Sequence, residues 1–227
     1  MSSNVTVSAV ILAAGSSTRM GVPKQFLPLH GQPLLAHTLL AFQACDAIQE
    51  IVVVARLEDI EKIKELAQAK NITKLTKVVE GGSSRRESAR CGAQACNSES
   101  KYFAVHDGAR PLITPQIIEE VVSVAKEYGA AAAAVPTKDT IKQVDANGFV
   151  VGTPPREMLW NVQTPQIFRR DLYLQALDNC EKTNTEVTDD CQMVELLGHT
   201  IKLVKSSYTN IKVTTPEDIN IAEGWLQ

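Results

Sequence analysis

The sequence predicts an α/β fold: a Rossmann-like, doubly wound and mostly parallel sheet with a protruding β-hairpin arm. Three observations support this class. Strand-like and helix-like segments alternate along most of the chain. The strand-like segments are short apolar runs of the kind that parallel sheets bury. Small or charged residues follow three of these runs, as expected where strands end at a ligand site. The 227 residues fit a single domain.

Each predicted element has a local reason. Residues 51–55 (IVVVA) are mostly β-branched, and residues 57–70 place apolar side chains at helical spacing. Pro33 suits a first helical position, and the threonines at 114 and 215 are N-caps followed by proline. The predicted strands are residues 7–12, 51–55, 77–79, 102–106, 129–135, 201–205 and 210–213. The predicted helices are 33–45, 57–70, 85–96, 170–180 and 189–197, with two more that begin at 114 and 215.

The pattern changes at Pro136. Two alternating segments flank a turn at residues 145–148 that contains Gly148, which predicts a β-hairpin. A lone hairpin is not stable in water, so it must pack on another surface. We predict that residues from about 136 to 165 form an arm that crosses to a second subunit in a homodimer. The alternative is a hairpin that lies on its own sheet edge.

Residues 7–25 (VSAVILAAGSSTRMGVPKQ) predict an anion site. An apolar strand runs into a small-residue loop at Gly15, and two cations, Arg19 and Lys24, follow. Such a loop presents backbone N–H groups to a ligand above the strand end, so we expect a nucleoside triphosphate here. The stretch is neither a Walker loop nor a GxGxxG fingerprint. An ordinary turn with two solvated basic residues remains the alternative.

Two further strand ends carry polar residues, at 81–88 and 107–110. Asp107 is placed to hold Mg²⁺ beside a triphosphate; the alternatives are a loop cap or a pair with Arg110. The glycines at 81 and 82 permit close approach of the backbone to a flat ligand. His106 is expected on the opposite strand face without a role. Arg85 and Arg86 are also consistent with a solvated face.

Bulk properties exclude several classes. A net charge of −3 gives no general attraction to nucleic acid. Five cysteines without a CxxC motif indicate reduced thiols that act as small buried hydrophobes. We find neither a secretory signal nor a membrane-spanning segment. These features predict a cytoplasmic protein, or one of the plastid stroma if a transit peptide has been removed.

Six motifs then occur in order: LAAGSSTRMG with PKQ, the GG–R–S stretch at 81–88, HDGARP, QTPQ at 163–166, EVTDD at 186–190 and NIKVTTPEDI at 210–219. Together they resemble the 2-C-methyl-D-erythritol 4-phosphate cytidylyltransferase family of the non-mevalonate isoprenoid pathway, from about residue 7 to 226. The resemblance implies a Rossmann-like fold, a β-arm homodimer, CTP and Mg²⁺. It also implies transfer of CMP from CTP to a sugar-alcohol phosphate, with release of pyrophosphate.

The resemblance assigns roles residue by residue. The triphosphate would be surrounded by Ala13, Ala14, Gly15, Arg19 and Lys24. Gly82 and Ser88 would hold the cytidine, and Asp107 the metal. The acceptor phosphate or the α-phosphate would contact Arg110, Thr140, Arg156, Thr164 and Lys212, with Thr140 and Arg156 close to the partner subunit's site. Among these, the implied catalytic residues are Arg19, Lys24, Arg156 and Lys212.

Two positions depart from the family pattern. Thr209 stands where many members have an acidic residue, so a second metal carboxylate is absent there. Pro155 precedes Arg156 where members tend to have Asp-Arg, which alters how the arm presents that arginine.

Three alternative functions share some of these features. A ribitol 5-phosphate cytidylyltransferase would share the fold, the nucleotide site and the arm. A non-catalytic nucleotide-binding module would lack cations at the reacting phosphate, whereas Arg19, Lys24 and Lys212 are all present. A nicotinamide oxidoreductase is disfavoured because GxGxxG and its acidic partner are missing.

Overall fold

A computed structural model of the chain describes residues 6–15 and 23–226. The predicted anion-binding residue Arg19 therefore lies outside the described residues. The strands in chain order are β1 (Val7–Leu12), β2 (Pro28–Leu29), β3 (Gln32–Pro33), β4 (Glu50–Ala55), β5 (Leu75–Glu80), β6 (Tyr102–Asp107), β7 (Ala130–Pro136), β8 (Gln143–Val144), β9 (Val150–Gly152), β10 (Trp160–Arg169) and β11 (Lys202–Lys205). The helices are α1 (Leu34–Ala44), α2 (Ile60–Ala69), α3 (Arg85–Ala95), α4 (Pro115–Tyr128), α5 (Arg170–Lys182), α6 (Asp190–Glu195) and α7 (Pro216–Trp225).

The central sheet is mixed but mostly parallel, which confirms the predicted fold class. Within the described residues it has seven strands in the order β11-β7-β10-β6-β1-β4-β5. β1 pairs in parallel with β4 and β6, and β4 pairs in parallel with β5, as does β7 with β11. β10 runs antiparallel to both of its neighbours, β6 and β7. The carboxyl ends of the parallel strands therefore share one edge of the sheet.

Strand β10 is the element that the sequence analysis missed. Pro165 interrupts its apolar pattern, and a proline inside a sheet is tolerated only at an edge or an irregularity. Here the pairing with β7 shifts between Val162 and Gln166, and Pro165 lies within that irregularity. Gln166 is buried, and the cost of burying its amide is offset because the side chain donates to Asp189 and accepts from the backbone of Cys191. The arm therefore ends before residue 160, not at about 165.

Residues 210–213 were predicted as a strand, and that prediction was wrong. In the described structure this segment is irregular and joins the sheet edge by single contacts. The N–H of Val213 donates to the carbonyl of Ala109 at 2.8 Å. The buried amide of Asn210 donates to Gln163 Oε1 at 3.0 Å and to the carbonyl of Thr164 at 2.9 Å. Isolated hydrogen bonds from the backbone of Val213 and the side chain of Asn210 replace a strand ladder here.

Most other bounds agree within a few residues. β5 is longer than predicted, and Pro33 precedes α1 instead of starting it. The helix predicted at 57–70 begins as a 3₁₀ turn, Leu57–Asp59, before α2. Thr114 caps α4 and Thr215 caps α7 as predicted.

Helices cover both faces of the sheet. One apolar cluster joins the sheet to α1, α2 and α4, and the other joins it to α3, α5 and α6. α3 packs closely because it carries Gly92: a Cβ there would lie 2.3 Å from Cγ1 of Val10 and 2.8 Å from Cγ2 of Val54. This contact brings the start of α3 to the carboxyl edge. None of the helices in the described ranges is both long and apolar enough to span a membrane.

The predicted hairpin is present. β8 and β9 pair antiparallel, and Asp145 receives hydrogen bonds from the backbone of Asn147 and Phe149 within the turn. Every residue from 138 to 151 is exposed. We call residues 138–159 the arm; it leaves the sheet where Pro136 of β7 pairs with Trp160 of β10.

Candidate active site

A cavity of about 390 Å³ opens at the carboxyl ends of β1, β5 and β6. Its lining combines the three strand-end segments singled out in the sequence. The lining residues are Leu12, Ala13, Ala14, Gly15, Lys24, Gln25, Gly82, Ser83, Ser84, Arg85, Ser88, Asp107, Gly108, Ala109 and Lys212. Eight predicted site residues thus meet here: Ala13, Ala14, Gly15, Lys24, Gly82, Ser88, Asp107 and Lys212. A larger depression of about 690 Å³ lies between α2 and β5, but amides, lysines and apolar side chains line it.

Backbone hydrogen bonds hold the three loops side by side. Beyond the strand ends, Ala13 N–H donates to Val54 O at 2.7 Å, and Gly108 N–H donates to Leu12 O at 2.9 Å. Gly81 lies so close that an added Cβ would be 2.7 Å from Oγ of Ser88 and 2.8 Å from Cβ of Ala14. Only glycine permits this approach, and it packs the 81–88 loop against the loop after β1.

The loop before α3 is fixed by capping interactions. Ser84 is the N-cap and accepts from the N–H of Glu87. In return, Glu87 accepts from the N–H and the hydroxyl of Ser83, both at 2.7 Å. These hydrogen bonds lower the pKa of the Glu87 carboxyl. The hydroxyl of Ser88 donates to Gly82 O at 3.4 Å. Hydrogen bonds within the loop therefore hold together the residues predicted to bind cytidine.

Asp107 lies at the end of β6, surrounded by three cations. Lys212 Nζ is 2.9 Å from Oδ2, and Arg110 Nε is 3.7 Å from the same oxygen. Arg85 Nη2 is 3.8 Å from Oδ1. Burial opposes the charge of Asp107, but Lys212 and Arg85 outweigh it and lower the pKa of this carboxyl. Asp107 is therefore a carboxylate at neutral pH. It is both paired with Arg110 and part of the cavity lining, so these two predicted roles occur together.

Thr164 lies beneath Asp107 and not in the cavity wall. Its Oγ1 accepts from the N–H of Asp107 at 3.0 Å and lies 3.0 Å from Nδ1 of His106. The carbonyl of Arg110, which can only accept, lies 3.5 Å from Nε2, so the imidazole proton is on Nε2 and the threonine hydroxyl donates to Nδ1. Burial lowers the pKa of His106 to about 3, so the ring is neutral. His106 thus supports the end of β6, a role that the sequence analysis did not give it.

Arg110 and Lys212 are placed by the irregular segment 210–213. Arg110 donates to the carbonyl of Asn210 at 2.7 Å. Lys24 Nζ donates to the carbonyl of Val213 at 3.1 Å. The segment therefore brings Lys212 to Asp107 and contacts the loop that carries Lys24.

Arg85 was not singled out, and it lines the cavity beside Asp107. Its Nη2 is 2.6 Å from Oδ2 of Asp190, which is fully buried. Arg85 belongs to the GG–R–S stretch and Asp190 to the EVTDD motif, so each residue had a sequence signal but neither motif indicated that the two residues meet. Arg86 donates to the carbonyls of Cys180 and Thr185, so neither arginine is on a solvated face.

Two predicted residues lie away from this cavity. Thr140 and Arg156 are exposed on the arm, and Arg156 donates to the carbonyl of Lys138 at 3.0 Å. Within one chain, the structure does not bring them to Asp107. Their predicted contribution to a partner's site remains a prediction.

Fold and cavity together define a class of protein. Lys24, Arg85 and Lys212 bring three cations to the lining of a cavity that also contains the buried carboxylate Asp107, and the cavity has ligand-binding size and lies at the carboxyl edge of a doubly wound sheet. Such a site binds a polyanionic ligand such as a nucleotide. The chain is therefore an α/β protein with a cationic cavity suited to a polyanionic ligand at the carboxyl edge of its sheet.

Comparison with known proteins identifies the family. Residues 7–227 match the family model described as 2-C-methyl-D-erythritol 4-phosphate cytidylyltransferase. A relative of that name from Alkaliphilus oremlandii is 46% identical over 223 residues, which cover 97% of this chain and 94% of the relative. The 4-diphosphocytidyl-2C-methyl-D-erythritol synthase of Anaerococcus prevotii has 31% identity and a TM-score of 0.91, over 99% of this chain and 97% of that chain. The Thermus thermophilus cytidylyltransferase has 31% identity and a TM-score of 0.81, over 97% of this chain and 98% of that chain.

The chain belongs to the 2-C-methyl-D-erythritol 4-phosphate cytidylyltransferase family. It is a CTP-dependent cytidylyltransferase whose acceptor is 2-C-methyl-D-erythritol 4-phosphate in the non-mevalonate pathway.

Proposed function

We propose that the family reaction occurs in the cavity at the ends of β1, β5 and β6. An oxygen of the acceptor phosphate attacks the α-phosphorus of CTP, a new P–O bond forms, and pyrophosphate leaves in line. The observation that carries this proposal is Asp107, held by Lys212 at 2.9 Å between the loop after β1 and the loop before α3. Mutual repulsion of the two anionic reactants is the main barrier to be overcome.

Cations reduce that repulsion. Lys24 and Lys212 both line the cavity, and we assign them to the charge on the transferring phosphate and its transition state. Arg19 is proposed to join them. A phosphate monoester is already largely ionised at neutral pH, so the reaction needs no strong general base. The neutral, buried His106 agrees with that requirement.

The other predicted site residues are assigned by the loop on which they lie. We assign Ala13, Ala14 and Gly15 to the triphosphate, and Gly82 and Ser88 to the cytidine. Arg110 and Thr164 lie directly behind Asp107, and we assign them to the acceptor end of the site.

The donor set at Asp107 fits Mg²⁺. The short contact of Lys212 falls on Oδ2, whereas Oδ1 has Arg85 at 3.8 Å, beyond hydrogen-bond distance. Mg²⁺ takes one or two carboxylates and completes its shell with phosphate oxygens and water. Asp107 would hold the ion; when bound, the ion would neutralise phosphate charge. Thr209 provides no second carboxylate, and its hydroxyl contacts that of Ser207 at 2.6 Å.

We propose that the arm forms a homodimer. Its exposed apolar side chains include Phe149 at 70%, Val151 at 66% and Met158 at 76% exposure. A set of exposed apolar residues on one projection is typical of an interaction site. In the dimer, Thr140 and Arg156 would contact the acceptor in the partner's cavity.

We also propose a cytoplasmic location. All five cysteines are unpaired thiols, as suits a reducing compartment. Burial raises the pKa of Cys96 to about 12, and Cys45, Cys180 and Cys191 are also buried with raised pKa values. These four thiols act as apolar packing groups and not as nucleophiles.

Pyrophosphate release tests the proposed reaction. The assay would offer CTP, ATP, UTP and GTP with Mg²⁺, each with 2-C-methyl-D-erythritol 4-phosphate or ribitol 5-phosphate. We expect release with CTP and the methylerythritol phosphate. Release only with ribitol 5-phosphate would replace the acceptor. Binding of CTP without release from any pair would support a non-catalytic module.

Light scattering tests the arm. Phe149→Glu should convert a dimer to a monomer, whereas Leu57→Glu, at a similarly exposed site outside the arm, should not. Mixing Lys24→Ala with Arg156→Ala protein should restore activity if each site uses one residue from each subunit. A fully active monomer would contradict the shared site.

A further inference from the structure

Arg85 is a cation in an unfavourable place. It is the first residue of α3, where the helix dipole opposes positive charge. Its side chain is only 34% exposed, so burial opposes the charge as well. The exposed part of the side chain faces the cavity. A charged group held against two opposing effects requires a specific partner.

That partner is Asp190. It is fully buried, and its Oδ2 lies 2.6 Å from Nη2 of Arg85. Its other oxygen accepts from the hydroxyl of Tyr173 at 2.7 Å. Tyr173 is also fully buried and stacks on Phe168 at 5.2 Å between ring centroids. Burial lowers the pKa of Arg85, but Asp190 and Asp107 outweigh this effect and raise it above the usual value.

The start of α6 is itself held in place. Asp189 caps α6 by accepting from the N–H of Gln192 at 2.9 Å. It also accepts from Nε2 of Gln166 at 2.9 Å, and Oε1 of Gln166 accepts from the N–H of Cys191 at 3.0 Å. Strand β10 therefore fixes the position of Asp190, and Asp190 in turn fixes Arg85.

The pairing leaves donors of Arg85 available to a ligand. The shortest contacts of Arg85 with Asp190 and with Asp107 are both made by Nη2, at 2.6 Å and 3.8 Å, so neither acid engages Nη1 or Nε at shorter range. Because Asp190 balances its charge, Arg85 adds directed donors to the cavity wall without adding net charge. A planar guanidinium with fixed orientation suits phosphate oxygens.

We propose that Arg85 hydrogen-bonds a phosphate oxygen of the bound nucleotide, and that Asp190 with Tyr173 is the positioning pair that fixes its guanidinium. The proposal rests on the proposed placement of the nucleotide in this cavity. It assigns Asp190 an effect on catalysis that passes only through Arg85.

A double-mutant cycle tests this assignment. CTP affinity by calorimetry and kcat/KM by pyrophosphate release would be measured for Arg85→Gln, Asp190→Asn and the double variant. Arg85→Gln should weaken both by at least about tenfold, the value of a charged hydrogen bond. Asp190→Asn should weaken both in the native background and change them by less than about twofold in the Arg85→Gln background.

Tyr173→Phe gives a second, milder test. It keeps the ring packing and removes one hydrogen bond to Asp190, so we expect about a threefold loss of CTP affinity that vanishes in the Arg85→Gln background. Arg90→Gln and Asp178→Asn are matched controls, since this ion pair joins α3 to α5 at 2.9 Å outside the cavity lining. Each control should stay within about twofold of the unaltered protein.

The outcomes are distinct. If Asp190→Asn causes the same loss in both backgrounds, its role is structural and the proposal is overturned. Unchanged CTP affinity in Arg85→Gln would also overturn it. Calorimetry needs no turnover, so a protein that binds CTP without releasing pyrophosphate would refute the reaction while the cycle still decides the role of Arg85.

Discussion

At the scale of single residues, the site is an arrangement of charges around Asp107. Three cations keep this buried carboxylate ionised, and two of them, Arg85 and Lys212, line the cavity. Behind it, Thr164 and His106 fix the strand end by hydrogen bonds of 3.0 Å. His106 thus supports the site from outside the cavity lining.

Lys24→Ala tests the charge argument. The variant should lose about 2–4 kcal/mol of transition-state stabilisation, mainly in kcat, because the lysine would act on charge that develops during transfer. Lys64→Ala, which removes an exposed lysine paired with Glu61, is the control. Steady-state kinetics of pyrophosphate release measures both. An unchanged kcat in Lys24→Ala would remove this lysine from the mechanism.

His106 predicts a pH dependence of stability. Its folded-state pKa of about 3 lies below the unfolded value of about 6.5. Its contribution is therefore fully present above pH 6.5 and is lost as the pH falls toward 3. Between pH 7 and 5 the native protein should lose about 2 kcal/mol more unfolding free energy than His106→Gln. Urea denaturation in buffer without divalent cations measures this; equal losses would contradict a buried neutral imidazole.

At the scale of elements, close packing of α3 on the sheet places the first turn of this helix at the cavity. Gly92 allows this contact with β1 and β4, and Ser84 with Glu87 caps the same helix.

The sequence predicted α3 and its position after a glycine loop. It did not predict β10, because Pro165 and the buried glutamines of that strand have no apolar pattern. Their burial depends on partners such as Asp189 that lie elsewhere in the chain.

A pair of glycine substitutions tests the packing of α3. Gly92→Ala should destabilise the protein by about 1–3 kcal/mol, since its Cβ would lie 2.3 Å from Val10 Cγ1. Gly224→Ala in α7 meets no atom within 4 Å and should gain up to about 1 kcal/mol from helix propensity. Urea unfolding gives both values. A neutral Gly92→Ala would show that α3 is not pressed against β1.

At the scale of the whole molecule, the cavity was predictable because parallel strands end at one edge. The motifs placed Asp107, Lys24 and Lys212 there, and the structure brings all three into one cavity lining. The contact between Arg85 and Asp190 was not predictable, because it joins helix starts far apart in the chain. The use of Thr140 and Arg156 also depends on a second subunit, which no pattern within one chain can position.

The most direct measurement of the central claim compares the unaltered protein with Asp107→Asn in the pyrophosphate assay with CTP, Mg²⁺ and 2-C-methyl-D-erythritol 4-phosphate. Glu50→Gln is the control, because Glu50 is a buried carboxylate at the amino end of β4, on the other edge of the sheet. We expect Asp107→Asn to lose at least about 100-fold in kcat. Folded Asp107→Asn protein with activity equal to that of the unaltered protein would contradict the placement of the reaction at this strand end.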